Sequence, residues 1–170
     1  YCSPALAGIK PANLVSCDRT IYPDLPEQLE TYREAFAPRG MRFEIVCACC
    51  ARYLLLVYNE AQLERYMQDE RVQHVLRRFG YPVGSPLPEL LAVLRKRIPH
   101  EIGLFLGYPI EDVVGFIRYS GRGCKLSGYW KVYGDAEAAS RLFDRLSRVC
   151  HAVTKRVEQG ETLLEVFAAA

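Results

Sequence analysis

Hydrophobic residues fall at helical spacing over several stretches of this chain and in short alternating or continuous runs over others. Pro26 opens a helix that runs to Ala37, with Leu29, Tyr32, Arg33 and Phe36 spaced for one face, and Pro38-Arg-Gly40 stops it. Met41 to Val46 begins in strict apolar/polar alternation, which predicts a strand. Tyr53 to Tyr58 is a continuous apolar run of β-type residues, so the join between the two predicts a hairpin whose second strand is buried on both faces.

Residues 60–79 form one or two helices, with Val72, Val75, Leu76 and Phe79 as the apolar stripe, and Gly80 to Gly84 breaks the pattern. Leu87, Leu90, Leu91, Leu94 and Ile98 repeat that stripe up to Pro99. Glu101 to Gly107 reads as a central strand, and Pro109 suits the first turn of a helix buried through Ile110, Val113, Val114 and Ile117. A strand from Lys125 to Tyr133 follows a glycine loop. Asp135 then caps a long helix marked by Ala139, Leu142, Phe143, Leu146, Val149, Cys150, Val153 and Val157, which Gly160 stops. Residues 1–24 are the irregular segment and 135–170 the C-terminal helices. The expected fold is therefore a single α/β domain over 1–170. Its mixed sheet has about four strands, near 41–47, 52–58, 101–107 and 126–133, combining one antiparallel hairpin with a right-handed β-α-β unit.

Composition narrows the function without naming it. Half of the 170 residues are hydrophobic and 25% charged, which excludes a disordered or fibrous chain, and no run of apolar residues reaches membrane-spanning length. The net charge of +2 is spread along the chain rather than gathered on a basic segment, which argues against nucleic acid as a partner. The seven cysteines are odd in number and scattered, a distribution that fits a reducing cytoplasm better than a disulfide framework.

Four groups of residues carry candidate chemistry. Cys47-Ala-Cys-Cys50 has C-x-x-C spacing, but it falls beside a strand join rather than at a helix start and has no second ligand pair, so packing is favoured over metal or redox work. The Gly107-Tyr108-Pro109 turn opens a helix where anions bind, and His100 beside Glu101 is a general-base pattern. Trp130, Lys131 and Tyr133 interleave a cation with aromatics, a pattern that stacks bases or covers a sheet. Lys10 and Asn13 stand one helical turn apart, as a clamp for a carboxylate or phosphate would.

Three stretches together, 2–14, 99–113 (Pro-His-Glu-Ile-Gly-Leu-Phe-Leu-Gly-Tyr-Pro-Ile-Glu-Asp-Val) and 128–135 (Gly-Tyr-Trp-Lys-Val-Tyr-Gly-Asp), resemble an uncharacterised domain-of-unknown-function family of anaerobic Gram-positive, clostridial-type bacteria. The resemblance covers essentially the whole chain. It implies a bacterial cytoplasmic protein and names no activity. It also implies that Lys10, Asn13, His100, Glu101, Tyr108, Asp112, Trp130, Lys131 and Tyr133 are recurrent positions, and that Cys47 to Cys50 is peculiar to this member.

The expectation is a small-molecule or anion-binding protein whose cleft gathers Lys10, Asn13, the Tyr108-Pro109 turn and the Trp130–Tyr133 strand, with His100 and Glu101 as further candidates. The expected ligand is small and anionic or planar. A cysteine-dependent redox or metal-handling protein is the alternative, and a nucleic-acid or protein-interaction module using 118–133 a third. No metal is expected, and no motif specifies a cofactor, a reaction or an oligomeric state.

Overall fold

The computed structural model describes residues 2–48, 51–82, 84–96 and 100–168, with Ala168 described by its backbone alone. In chain order its helices and strands are α1 (Ser3–Leu6), β1 (Ala12–Asp18), α2 (Leu25–Phe36), β2 (Met41–Cys47), β3 (Arg52–Asn59), α3 (Glu60–Met67), α4 (Glu70–Arg78) and α5 (Leu87–Lys96). They continue with α6 (Ile102–Phe105), α7 (Ile110–Tyr119), β4 (Leu126–Ser127), β5 (Lys131–Val132), α8 (Ala136–Glu158) and α9 (Leu163–Ala168). The class is mixed α/β, as the alternation of periodicities implies. The chain forms two compact units, one from residues 1–61 with 146–170 and the other from residues 62–145.

The first unit is built on a three-stranded antiparallel sheet in the order β1-β3-β2. The central place of β3 follows from its apolar run, and Leu56 and Val57 are fully buried there. β1 takes the third position, where the sequence predicts irregular chain. Asn13 and Ser16 interrupt its apolar residues, and its burial pattern does not alternate cleanly. Period-2 patterning therefore gives it no signature. The α2 stripe packs Leu29 and Phe36 into a cluster with Phe43, Leu55 and Val57, joined by Val153 of α8 and by Val166 and Phe167 of α9. Arg156 of α8 holds α9 by donating to the Val166 carbonyl (2.9 Å) and pairing with Glu161.

The second unit buries Val72 and Leu76 of α4 and Leu90, Leu91 and Leu94 of α5, the stripes expected from their spacing, together with Leu63 of α3. Asp69 divides α3 from α4 by accepting the Arg71 N–H (2.8 Å). The strand expected at 101–107 is instead the single helical turn α6. A short apolar run does not distinguish a buried strand from a buried helix, and tertiary packing decides here: Leu104 and Phe105 are fully buried. Gly107, at φ 70°, closes the turn, with Tyr108 N–H donating to the Gly103 carbonyl (2.9 Å).

With that strand lost the described residues form no β-α-β crossover, and the four-stranded mixed sheet gives way to the antiparallel sheet and a separate two-stranded one. The strand expected over 126–133 is the tight β4–β5 hairpin, which turns at Gly128, where a Cβ atom would lie 2.4 Å from the Phe143 ring. Asp135 does cap α8, accepting the Ala138 N–H (2.9 Å), and Gly160, at φ 95°, does end the chain's longest apolar stripe.

Candidate functional site

The α7 helix shows how the candidate site is made. Its apolar stripe predicts burial of Val113 and Val114, yet the buried positions are Asp112, Val113 and Gly115, while Val114 is 40% exposed. The helix is turned so that Asp112 faces inward, where it is hydrogen-bonded, and Val114 outward. The Asp112 carboxylate accepts the Trp130 indole N–H (2.7 Å), the Tyr133 backbone N–H (2.7 Å) and the Gly134 N–H (2.8 Å). A carboxylate only 2% exposed is tolerable when its lone pairs meet donors in this way. Its place in the first turn of α7 adds a favourable helix dipole. Gly115 lets the Tyr133 ring lie on the helix, where any Cβ would come within 2.4 Å of it.

Asp112 thereby fixes the β4–β5 hairpin against α7, and a cavity of about 470 Å³ opens between them. Trp130 forms one wall, stacked on Tyr108 with ring centres 4.6 Å apart and crossed edge-on by Phe143 at 4.5 Å. Phe116 and His100 form another, their rings 5.4 Å apart and edge to face. Tyr66 donates its hydroxyl to the Tyr108 carbonyl (2.7 Å), tying α3 to the turn before α7. Burial pushes the Tyr108 phenol up from its ordinary pKa, so it stays protonated. The Lys131 ammonium donates to the Gly121 carbonyl (2.7 Å), which leaves two of its three protons for another acceptor.

Of the residues singled out in the sequence, His100, Tyr108, Asp112, Trp130 and Lys131 line this one cavity. Glu101 and Tyr133 belong to the same unit but not to its lining. Glu101 is 2% exposed, and the Tyr133 ring stacks on Tyr119 at 5.8 Å. Lys10 and Asn13 lie in the other unit. Asn13 caps the N-terminal turn, its side-chain oxygen accepting the Ala5 N–H (3.1 Å). Lys10 is buried, and desolvation pushes its ammonium down to about 8, against a smaller upward pull from the neighbouring Cys150.

Periodicity overlooks Asp112, because an acid in the first turn of a helix usually marks the dipole and not a buried hub. Phe116 and Gly103, also in the lining, carry no chemical signature in the sequence.

The cysteine motif falls largely outside the described residues, which include neither Cys49 nor Cys50. Cys47 is disulfide-bonded, which the packing role favoured for it does not include, whereas Cys2, Cys17, Cys124 and Cys150 are free and half-buried. Among the described residues no three His, Cys, Asp or Glu side chains gather as a metal-binding group, and no helix is long and apolar enough to cross a membrane.

No curated protein and no solved structure matches the chain. A family model does match it, over residues 1–167, and its description is a protein of unknown function, DUF3793. Since that match takes in the sheet, the cavity and both C-terminal helices, the chain belongs to the DUF3793 family.

Proposed function

We propose that this protein binds a small planar molecule carrying an acidic group, held in the cavity between α7 and the β4–β5 hairpin. The observation that carries this reading is that His100, Tyr108, Trp130 and Lys131 share one cavity of about 470 Å³. That size is within the roughly 300–1,000 Å³ of small-molecule sites. Its walls are aromatic and suit a flat ligand face. Trp130 gives its N–H to Asp112, so among the polar groups of the lining Lys131 supplies the positive charge for the ligand's acidic group, with His100, Ser127, Tyr108 and Tyr129 around it.

The reading is of a binding protein, and no reaction is assigned to it. The four free thiols, against one disulfide-bonded cysteine among the described residues, support placing it in the reducing cytoplasm.

Trp130 is the chain's single tryptophan, so its emission reports this cavity directly. Titration with indole-3-acetate, benzoate and adenosine monophosphate should give a saturable change in emission with at least one of them. Lys131→Ala should weaken that binding about tenfold, the worth of one charge-assisted hydrogen bond. Emission unmoved by all three probes, or binding equally tight in Lys131→Ala, would count against the reading.

A further inference from the structure

We propose that a second site, a groove between α4 and α7, binds a single-chain carboxylate, with the acyl chain along its floor and the carboxylate held by Arg78 and Arg118. The groove has a volume of about 400 Å³ and is lined by Val75, Arg78, Phe79, Val114, Ile117 and Arg118. The two helices contribute alike. Val75, Arg78 and Phe79 stand at i, i+3 and i+4 on α4 and its cap, and Val114, Ile117 and Arg118 repeat that spacing on α7. Each helix thus lays two apolar side chains on the floor and one guanidinium at the rim. The rotation of α7 that buries Asp112 is what turns Val114 outward, at 40% exposure, into this groove.

Charge complementarity selects the occupant. The lining holds two guanidiniums and no acid. Arg71, earlier on α4, is committed to Asp69 (3.0 Å) and Glu111 (3.6 Å), whereas among the described residues neither Arg78 nor Arg118 has a carboxylate partner. Arg118 rests over the Tyr119 ring at 5.5 Å, which orients its fork. Paired guanidiniums bind a carboxylate through charge-assisted bonds, and an apolar floor beside them takes a hydrocarbon chain.

Scale excludes the larger occupants. The groove's volume of about 400 Å³ is that of a small-molecule site, whereas a stable protein partner is held by about 800 Å² on each side. An anionic membrane surface is held by clusters of about 4–8 basic residues, where here there are two. The site is separate from the aromatic cavity and does not depend on it.

The test is calorimetric titration of the full chain with decanoate, decanol and decyltrimethylammonium, each below its micellar concentration. Decanoate should bind one molecule per chain, and decanol and the cationic amphiphile at least about tenfold more weakly, the worth of one charge-assisted bond. The double variant Arg78→Gln with Arg118→Gln, both exposed positions, should lose at least that factor for decanoate and keep the affinity for decanol. Val114→Asp should remove both. Decanol binding as tightly as decanoate, or an unchanged decanoate affinity in the arginine variant, overturns the proposal. So does sedimentation with phosphatidylglycerol vesicles alongside a flat decanoate titration. Trp130→Phe should leave decanoate binding unchanged, which separates this result from any failure at the aromatic cavity.

Discussion

Trp130 and Asp112 are joined by a 2.7 Å hydrogen bond from the indole N–H to one carboxylate oxygen, while the other oxygen takes the backbone N–H groups of Tyr133 and Gly134. One side chain on α7 therefore sets both the plane of the aromatic wall and the path of the strand that carries it. The cavity is as rigid as this one carboxylate makes it.

Asp112→Asn presents an amide where two backbone donors and an indole converge, so at least one N–H loses its acceptor. It should destabilise the protein by roughly 2–3 kcal/mol, the cost of an unmet buried bond to a charged group. Urea unfolding measures the loss. Trp130 emission should shift to the red in the native baseline as the indole is released.

Gly115→Ala should cost about 1–3 kcal/mol as an overpacked contact, because its Cβ would lie 2.4 Å from the Tyr133 ring. Tyr133→Phe makes the opposite prediction for the same contact. Its hydroxyl is enclosed without a hydrogen-bond partner, so removing it should leave the melting temperature unchanged or raise it. A melting temperature that falls in Tyr133→Phe would reveal a polar role for that hydroxyl.

Lys10 makes stability depend on pH in a stated direction. Burial brings its ammonium from 10.5 down to about 8, so the native state gives up this proton first as pH rises. Between those values the unfolded chain binds more protons, and stability rises with pH, by roughly 3 kcal/mol across the window. Below pH 8 both states are protonated and the full cost of the buried charge is present. Lys10→Met should be more stable than wild type at pH 7, and the advantage should shrink from pH 8 to 10.5. Parallel denaturation curves of the two proteins across that range test it, and a constant difference would refute the burial assignment.

The strand of Met41 to Cys47, the central strand through Tyr58, the α4 and α5 stripes and the capped length of α8 were all legible in the residues themselves. Each signal there is local: alternation, a 3.6-residue period, or an Asp or Gly at an end. Chemistry-capable side chains were legible too, since His100, Tyr108, Trp130 and Lys131 stand out by type alone. Tertiary structure decided what local patterning leaves open. Ile102 to Leu106 is equally apolar as strand or helix, and enclosure of Leu104 and Phe105 made it a helical turn. Ala12 to Asp18 has no clean alternation, and it became a strand because β3 offered an unpaired edge along its whole length. Asp112 entered the interior, and Val114 left it, because three N–H donors from residues 18 to 22 positions further on converge on one carboxylate. No window of sequence contains such a convergence, since burial of a charge is settled by donors that only the fold brings together.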